Sequence, residues 1–256
     1  MRQDERGPFD EALRRAREAA YEPGEYVEQE SFMRAGEIRA LAERAGVAPG
    51  VSVLDLCCGV AGPGRFVTRE LGCSYVGVDA SASAVGIARA RARGLPCRFE
   101  VAQVPPLPPG TFDVVLLLET ILAFPDKETL VEEVSRALPV GGRFAFTLEE
   151  GVPLTESERA QMPDADTIWL TPLDEMHEVL AGAGLVLRWE DDWSRSHRAV
   201  ASSLIDAFAA DATAIASRIG VRALDDLLAA HRLWSEWLAS GRVRKFALVA
   251  ERVASR

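Results

Sequence analysis

The chain has 256 residues, 48% of them hydrophobic and 27% charged, which is an ordinary composition for a globular protein with one large core. Its formal net charge of −10 disfavours a nucleic-acid substrate, because phosphate binding usually requires a basic surface. No apolar run approaches the ~20 residues of a membrane span, and the charged N-terminus lacks the apolar core of a signal peptide, so we expect a cytoplasmic protein without a membrane partner.

The first part of the chain predicts two helices. Residues 9–20 have the pattern of a short amphipathic helix, which the turn at 21–24 (Tyr-Glu-Pro-Gly) ends. Residues 31–45 have the pattern of a second helix. We therefore expect residues 1–45 to form an N-terminal helical cap segment.

Six short runs between residues 46 and 196 have the composition of strands, and helix-forming segments separate most of them. These runs are residues 51–54, 74–78, 99–101, 112–118, 143–148 and 185–189. The run 112–118 is nearly all apolar, which is typical of a strand buried on both faces of a parallel sheet. Residues 197–240 then have a helical pattern, with breaks at Gly220 and Gly241, before a last strand at 242–251.

A turn of small residues follows the first strand. Residues 55–64 read Asp-Leu-Cys-Cys-Gly-Val-Ala-Gly-Pro-Gly, a helix-like segment comes next, and the second strand ends at Asp79. Small residues let the backbone approach a bulky ligand, and a helix start offers unpaired N–H groups. A carboxylate at the tip of the second strand can accept both hydroxyls of a ribose. Together these parts form the nucleoside-binding half of a Rossmann-like fold.

These residues resemble the class I S-adenosylmethionine (SAM)-dependent methyltransferases that act on small molecules and natural products. The family pattern is an acid, a Gly-x-Gly-x-Gly turn and a ribose-binding acid on the next strand. Asp55 and Asp79 stand at the two acid positions, whereas Cys57 and Ala61 replace the first and third glycines. We expect an ordinary φ at Cys57 and a slightly wider turn, because a positive φ would strain a cysteine.

The resemblance, which covers about residues 31–255, implies an α/β fold. It implies a Rossmann-like sheet of seven mostly parallel strands with helices on both faces and an antiparallel last strand. Residues 46–196 would form the SAM-binding core, and residues 197–241 would form a helical lid inserted over the substrate. Residues 242–256 would supply the final core strand and the tail.

The resemblance also implies how SAM is bound. Gln103 stands where the family has an acid that accepts a hydrogen bond from the adenine amino group, and the N–H of Val104 is a partner for a ring nitrogen. Arg34 could reach the methionine carboxylate. The candidate cofactor-binding residues are Phe32, Arg34, Asp55, Cys57, Gly59, Ala61, Gly62, Asp79, Ala80, Gln103, Val104 and Glu119.

Two residues are candidates for catalysis. Glu119 ends the most buried predicted strand, at the sheet edge where open α/β folds bind ligands, and could face the sulfonium, steer an amine or take a proton. His197 lies between a strand end and the helical lid, where a histidine can deprotonate a hydroxyl or an ammonium. The alternatives are a solvent-facing acid and a surface histidine. His177 and His231 fall within predicted helices, where we expect them to be structural or exposed.

The predicted lid is rich in apolar residues that could enclose an apolar part of a substrate or form a dimer contact, so both a monomer and a homodimer remain open. These residues are Ile205, Phe208, Ile215, Leu233, Trp234, Trp237 and Leu238. The four cysteines lack the paired C-x-x-C spacing of a metal site, so we expect free thiols and no metal.

The sequence therefore predicts a SAM-dependent methyltransferase acting on an oxygen, nitrogen or carbon nucleophile of a small organic molecule, in specialised metabolism. One alternative is an NAD-dependent oxidoreductase, because Gly59, Gly62 and Asp79 also fit a degraded dinucleotide fingerprint. Another is a SAM-fold protein without methyl transfer, such as a pericyclase or a binding protein, because Cys57, Ala61 and Gln103 depart from the family pattern.

Overall fold

A computed structural model describes residues 11–163 and 165–254. Its strands are β1 (Ser52–Leu56), β2 (Ser74–Asp79), β3 (Cys97–Val101), β4 (Val114–Leu117), β5 (Arg143–Glu150), β6 (Leu185–Asp192) and β7 (Arg244–Arg252). They form one sheet in the order β3-β2-β1-β4-β5-β7-β6. The pairs from β3 to β5 are parallel, while β7 is antiparallel to both β5 and β6. The predicted seven-stranded sheet with an antiparallel last strand is confirmed.

The helices of the described residues are α1 (Glu11–Ala20), α2 (Ala35–Arg44), α3 (Gly62–Leu71), α4 (Ala82–Arg91), α5 (Lys127–Ala137), α6 (Glu156–Gln161), α7 (Leu173–Gly182), α8 (Ser194–Ala210), α9 (Ala212–Ile219) and α10 (Val221–Ser240). The first predicted helix begins at residue 9, and residues 9 and 10 lie outside the described residues. The second begins at Ala35 and not at residue 31, because Arg34 is extended (φ −96°, ψ 157°) and its N–H donates to the Glu37 carboxylate.

The sheet has an apolar layer on each face, because successive side chains of a strand point to opposite faces. On β4, Val114 and Leu116 face one layer, which α2, α3 and α4 cover. Val115 and Leu117 face the other, which α5 and α7 cover. All four side chains are buried, as the apolar run predicts.

A third apolar cluster lies away from the sheet. It joins α1 to the three helices inserted before β7, and its centre is the fully buried Phe208 of α8. The N-terminal helix and the insertion therefore share one core. No single described helix is long and apolar enough to cross a membrane; α8 and α9 reach that length only together, and the pair is bent by 82°.

Candidate functional site

Two cavities meet near the carboxyl ends of β1 and β4. The first, which we call the turn cleft, has a volume of ≈ 190 Å³ and is lined by Glu28, Gln29, Glu30, Ser31, Met33, Asp55, Cys57, Cys58, Gly59, Val60, Gly62, Pro63, Leu118, Glu119 and Thr120. The second, the lid cavity, has a volume of ≈ 230 Å³ and is lined by Arg17, Glu30, Ser31, Phe32, Glu119, Leu122, Glu149, His197, Leu204, Ala230, His231, Trp234, Leu238, Val243 and Lys245. Glu30, Ser31 and Glu119 line both, so the cavities adjoin along these residues.

The turn between β1 and α3 has three alternate residues in the left-handed region. Cys57, Gly59 and Ala61 have φ of 58°, 54° and 55°. The expectation of an ordinary φ at Cys57 is wrong, because the turn keeps the glycine conformation where the glycine itself is absent. A side chain in this conformation costs about 1–2 kcal/mol. A Cβ added at Gly59 would meet nothing within 4 Å, so this part of the turn borders open space.

Asp79 holds the turn from the end of β2. One carboxylate oxygen accepts the N–H of Gly59 at 2.9 Å and the other accepts the N–H of Ser81 at 2.8 Å. A carboxylate has about four acceptor sites, so capacity for ligand hydroxyls remains. Ala80 and Gln103 are exposed next to the carboxyl ends of β2 and β3, on the same sheet edge as the turn cleft but outside its enclosed part.

Val104 follows Gln103 and is half-buried, also outside the enclosed part of the cleft. Asp55, by contrast, lines the cleft, and its carboxylate accepts the Tyr75 hydroxyl. Burial raises the pKa of Asp55 to about 7, with Asp79 adding to the effect and the Tyr75 hydrogen bond opposing it. This acid is therefore anchored inside the core beneath the turn.

Residues 25–33 cover the turn cleft. Gln29 is buried and fixes this segment: its amide oxygen accepts the N–H of Val27, and its amide nitrogen donates to the carbonyls of Glu25 and Met33. A Cβ at Gly62 would overlap the backbone of Val27. The smallness of Gly62 thus serves the close approach of this segment as well as that of a ligand.

Arg34 and Phe32 lie outside the turn cleft, although the sequence predicts cofactor contacts for both. Arg34 forms an ion pair with Glu37 at 3.2 Å and lines neither cavity. Phe32 lines the lid cavity, where its ring contacts His197 and His231 edge-on at centroid distances of 6.4 and 5.6 Å. Phe32 therefore faces the second compartment.

A buried cluster of charges forms the base of the lid cavity. The Lys245 ammonium lies 2.6 Å from the Glu119 carboxylate and also donates to Glu149, its direct partner in the β5–β7 register. Burial raises the pKa of Glu119, but Lys245 and His197 outweigh it, so the net shift is downward. For Glu149 the burial effect wins, and its pKa is raised. Glu119 does not point into solvent.

His197 is fully buried beside Glu119. Its Nδ1 lies 3.8 Å from Glu119 Oε2, its Nε2 lies 3.6 Å from Glu37 Oε2, and neither nitrogen has a hydrogen-bond partner among the described residues. Burial alone would raise the pKa of Glu37, but His197 and Ser196 outweigh burial, and the pKa falls to about 2. The surface alternative for His197 is wrong, and the two candidate catalytic residues lie side by side.

Sequence reasoning missed Glu37, Glu149, Lys245 and His231. Lys245 is the second residue of β7 and directly precedes its apolar run 246–250, and the burial of that run is a signal that could have identified it. His231 lies in the lid cavity, where its Nδ1 donates to the Leu227 carbonyl at 2.8 Å. Burial lowers the pKa of His231 to about 4, so its ring is neutral at pH 7. Its helical position alone did not reveal this placement.

Part of the chain matches a family model and several named proteins. Residues 53–142 match the family model described as a methyltransferase domain. Methyltransferase GfsG of Streptomyces halstedii is 35% identical over 112 residues, which are 41% of this chain and 40% of that protein. Phosphoethanolamine N-methyltransferase 3 of Arabidopsis thaliana is 32% identical over 130 residues, 48% of this chain and 26% of that protein. The chain therefore spans well under half the length of these relatives.

Solved structures show the same fold. Phosphoethanolamine N-methyltransferase 2 of Haemonchus contortus, solved with S-adenosylhomocysteine, has a TM-score of 0.80 and 18% identity, over 98% of this chain and 59% of that one. The [4+2]-cyclase SpnF has a TM-score of 0.73 and 23% identity, over 95% and 93%.

The sheet order, the turn after β1 and the acid ending β2 match the Rossmann-like fold of the class I methyltransferases. Residues 53–142 match a methyltransferase domain, so this part of the chain is similar to the SAM-dependent methyltransferases. The predicted resemblance is confirmed, and the family match favours it over the oxidoreductase alternative.

Proposed function

We propose that the chain transfers a methyl group from SAM to a small organic molecule that has an apolar part. The observation that carries this proposal is the junction of the two cavities at Glu30, Ser31 and Glu119. A donor in the turn cleft and an acceptor in the lid cavity would meet beside Glu119. Holding both partners in adjoining, covered compartments is the main contribution a protein makes to methyl transfer, because it replaces a chance encounter by a fixed approach.

The residues of the turn cleft fit SAM. Gly59 leaves open space where a Cβ would stand, and the start of α3 presents backbone N–H groups. Asp79 has acceptor capacity for the ribose hydroxyls, and Gln103 and Val104 lie along the same edge for the adenine. When bound, SAM supplies a methyl group on a cationic sulfur, and the acceptor lone pair takes that methyl as the C–S bond breaks with its electrons left on sulfur.

Acidic residues at the junction suit a cationic donor. Glu28, Glu30 and Glu119 line the cleft, and Lys245 favours the ionised form of the Glu119 carboxylate. An acceptor that arrives protonated must lose a proton, and the unpartnered ring nitrogens of His197 can take it. Glu37 lies on the far side of that ring and would stabilise the imidazolium.

Replacing Asp79 with alanine tests the donor site. The variant removes the acceptor of the Gly59 N–H and of the ribose hydroxyls, so we expect its affinity for S-adenosylhomocysteine to fall by about 10- to 100-fold. Calorimetric titration measures this. The matched control is Asp113→Ala, which also removes an acid that accepts a backbone N–H, that of Ser52, but at the opposite edge of the sheet. Equal affinities in wild type and Asp79→Ala would refute the proposed donor site.

Specialised metabolism remains our proposed setting, because a cavity of ≈ 230 Å³ suits one small molecule better than a polymer. Transfer of a labelled methyl group from SAM to members of a compound library would test both the activity and this setting. A SAM-fold protein without methyl transfer would release no S-adenosylhomocysteine with any compound.

A further inference from the structure

We infer that the methyl acceptor is an amine, bound in the lid cavity as a cation beside the Oε2 atom of Glu149, with its apolar body against the apolar residues of the same cavity. This inference rests on the proposed function and narrows its substrate to one chemical class. It follows from the charges on the cavity wall, from buried atoms without hydrogen-bond partners and from the apolar residues that line the same cavity.

The carboxylates of the lid cavity outnumber its cations. Glu30, Glu119 and Glu149 face two permanent cations, Arg17 and Lys245. Burial raises the pKa of Glu30 and of Glu149, and a cation bound beside them would favour their ionised forms. Lys245 is already held by both Glu119 and Glu149, and Arg17 lies 3.4 Å from Glu30. Each of these two cations is therefore engaged, and a bound carboxylate or phosphate would face acids without a free cation in the described part of the wall.

His231 adds no cation to this wall. His231 is neutral at pH 7, since burial lowers its pKa to about 4. Beyond His197 lies a further acid, Glu37, whose pKa of about 2 keeps it ionised. The wall therefore disfavours phosphorylated acceptors and favours a ligand that brings its own positive charge.

Buried polar atoms without partners mark where that charge would bind. One carboxylate oxygen of Glu149, Oε2, is buried without a hydrogen-bond partner among the described residues, while the other oxygen accepts from Lys245. Both ring nitrogens of His197 are likewise unpartnered. Buried polar groups are normally paired, and a primary ammonium brings three N–H donors.

Apolar side chains also line the lid cavity. The rings of Phe32 and Trp234 and the side chains of Leu122, Leu204 and Leu238 line it. These groups suit a hydrocarbon or aromatic body, and the ring faces add a favourable interaction with a nearby cation. An amine on an apolar body therefore matches both the charged and the apolar residues that line the cavity.

The bound ammonium, His197 and SAM account for every proton and bond in the proposed reaction. The bound ammonium gives one N–H proton to a ring nitrogen of His197, which exposes the nitrogen lone pair. That lone pair forms the new N–C bond to the methyl group of SAM, and the C–S bond breaks with its electron pair left on sulfur. The products are the methylated ammonium and S-adenosylhomocysteine, and Glu37 and Glu119 flank the imidazolium.

Three matched probes test the inference in the wild-type protein: 4-phenylbutylamine, 4-phenylbutan-1-ol and 4-phenylbutyric acid. Each is titrated by calorimetry at saturating S-adenosylhomocysteine. We expect the amine to bind at least about 10-fold more tightly than the alcohol and the acid, because only the amine supplies a cation. Equal binding of the three, tighter binding of the acid, or no binding of the amine would overturn the inference.

A variant locates the charge that selects the amine. Glu149→Gln removes the carboxylate that a bound ammonium would hold in its ionised form, so we expect the amine to bind about 10-fold more weakly while alcohol binding changes little. Glu150→Gln is the matched control, since the next residue of β5 points to the opposite face and lines neither cavity. The affinity for S-adenosylhomocysteine reports whether each variant is folded. An unchanged amine affinity in folded Glu149→Gln would contradict the inference.

Assays of methyl transfer separate this inference from the proposed function. Methylation of alcohols or acids in preference to amines would overturn the amine assignment and leave the methyltransferase function in place. Selective amine binding without any transfer of a labelled methyl group would overturn the proposed function and leave the amine site supported.

Discussion

Lys245 shows how one residue can organise a buried site. Its side chain is only 3% exposed, and burial alone would lower the pKa of its ammonium, yet Glu119 and Glu149 raise it. Removing one partner of a buried ion pair typically costs about 3–5 kcal/mol, because the other charge is left uncompensated. Glu119 also has a φ of 60°, and its N–H donates to Thr147 at 2.7 Å. Lys245 therefore fixes the Glu119 carboxylate and Thr147 fixes the backbone of the same residue at the junction of the cavities.

Asp55 makes stability depend on pH. Burial raises its pKa to about 7 in the folded protein, whereas an aspartate in an unfolded chain titrates near 4. The folded state therefore binds the proton more tightly. The stability that Asp55 contributes is complete below about pH 4 and is lost as the pH rises through about 7, by up to about 1.4 kcal/mol per pH unit.

Asp55→Asn tests this dependence. Asparagine keeps an acceptor for the Tyr75 hydroxyl but does not titrate, so the free energy of unfolding of wild type relative to the variant should fall by roughly 1 kcal/mol or more between about pH 5 and about pH 8. Urea unfolding at the two pH values measures it. A difference that stays constant would refute the raised pKa.

At the scale of elements, the β1–α3 unit depends on close packing beneath the turn. Gly64 lies in the first turn of α3 against the Tyr75 ring of β2, and Tyr75 in turn hydrogen bonds to Asp55. Tyr75 thus links the helix, the second strand and the buried acid. The turn itself carries the left-handed residues Cys57 and Ala61, so the unit stores strain that this packing must offset.

Gly64→Ala should disrupt this unit. The added Cβ would overlap the Tyr75 ring, and we expect the free energy of unfolding to fall by about 1–3 kcal/mol, with weaker binding of S-adenosylhomocysteine. The matched control is Gly86→Ala in α4, where a Cβ meets nothing within 4 Å and where helix propensity predicts a gain of about 0.5–1 kcal/mol. Equal effects of the two substitutions in urea unfolding would contradict the packing argument.

Over the whole molecule, the helical insertion α8 to α10, which we propose as a lid, packs on the N-terminal helix and less on the sheet. Phe208 of α8 is fully buried in the cluster that joins α1 to α8, α9 and α10, and its ring contacts His231 edge-on at 5.2 Å. The helices of this third apolar cluster therefore also form one wall of the lid cavity. Loosening that core should affect the lid cavity while sparing the turn cleft.

Phe208→Ala tests this division. Truncating a buried phenylalanine costs about 3–5 kcal/mol, so we expect faster hydrogen exchange across α1 and α8 to α10, with affinity for S-adenosylhomocysteine retained. The control is Phe146→Ala, in which an equally buried ring of β5 is lost from the sheet core and exchange should rise throughout the sheet. If Phe208→Ala raised exchange equally in the sheet, the lid would not be a separate unit.

The turn after β1 and its acid Asp79 were readable from the sequence because their chemistry is local. A strand, small residues, a helix start and a terminal acid are consecutive in the chain, and their spacing fixes their geometry. The order of elements, the antiparallel last strand and the place of Glu119 at a strand end followed in the same way, with the family resemblance as support.

What the chain alone left undetermined depends on contacts between distant segments. Lys245 and Glu149 meet only because β7 inserts beside β5, and His231 and Phe32 share a cavity only because the lid folds over residues 25–33. The positive φ of Cys57 likewise follows from the strands and helix that fix both ends of its turn. The sequence by itself determined the fold and the turn after β1, and the tertiary structure decided which charges surround the lid cavity, since burial and pairing arise only once the sheet and the inserted helices are packed.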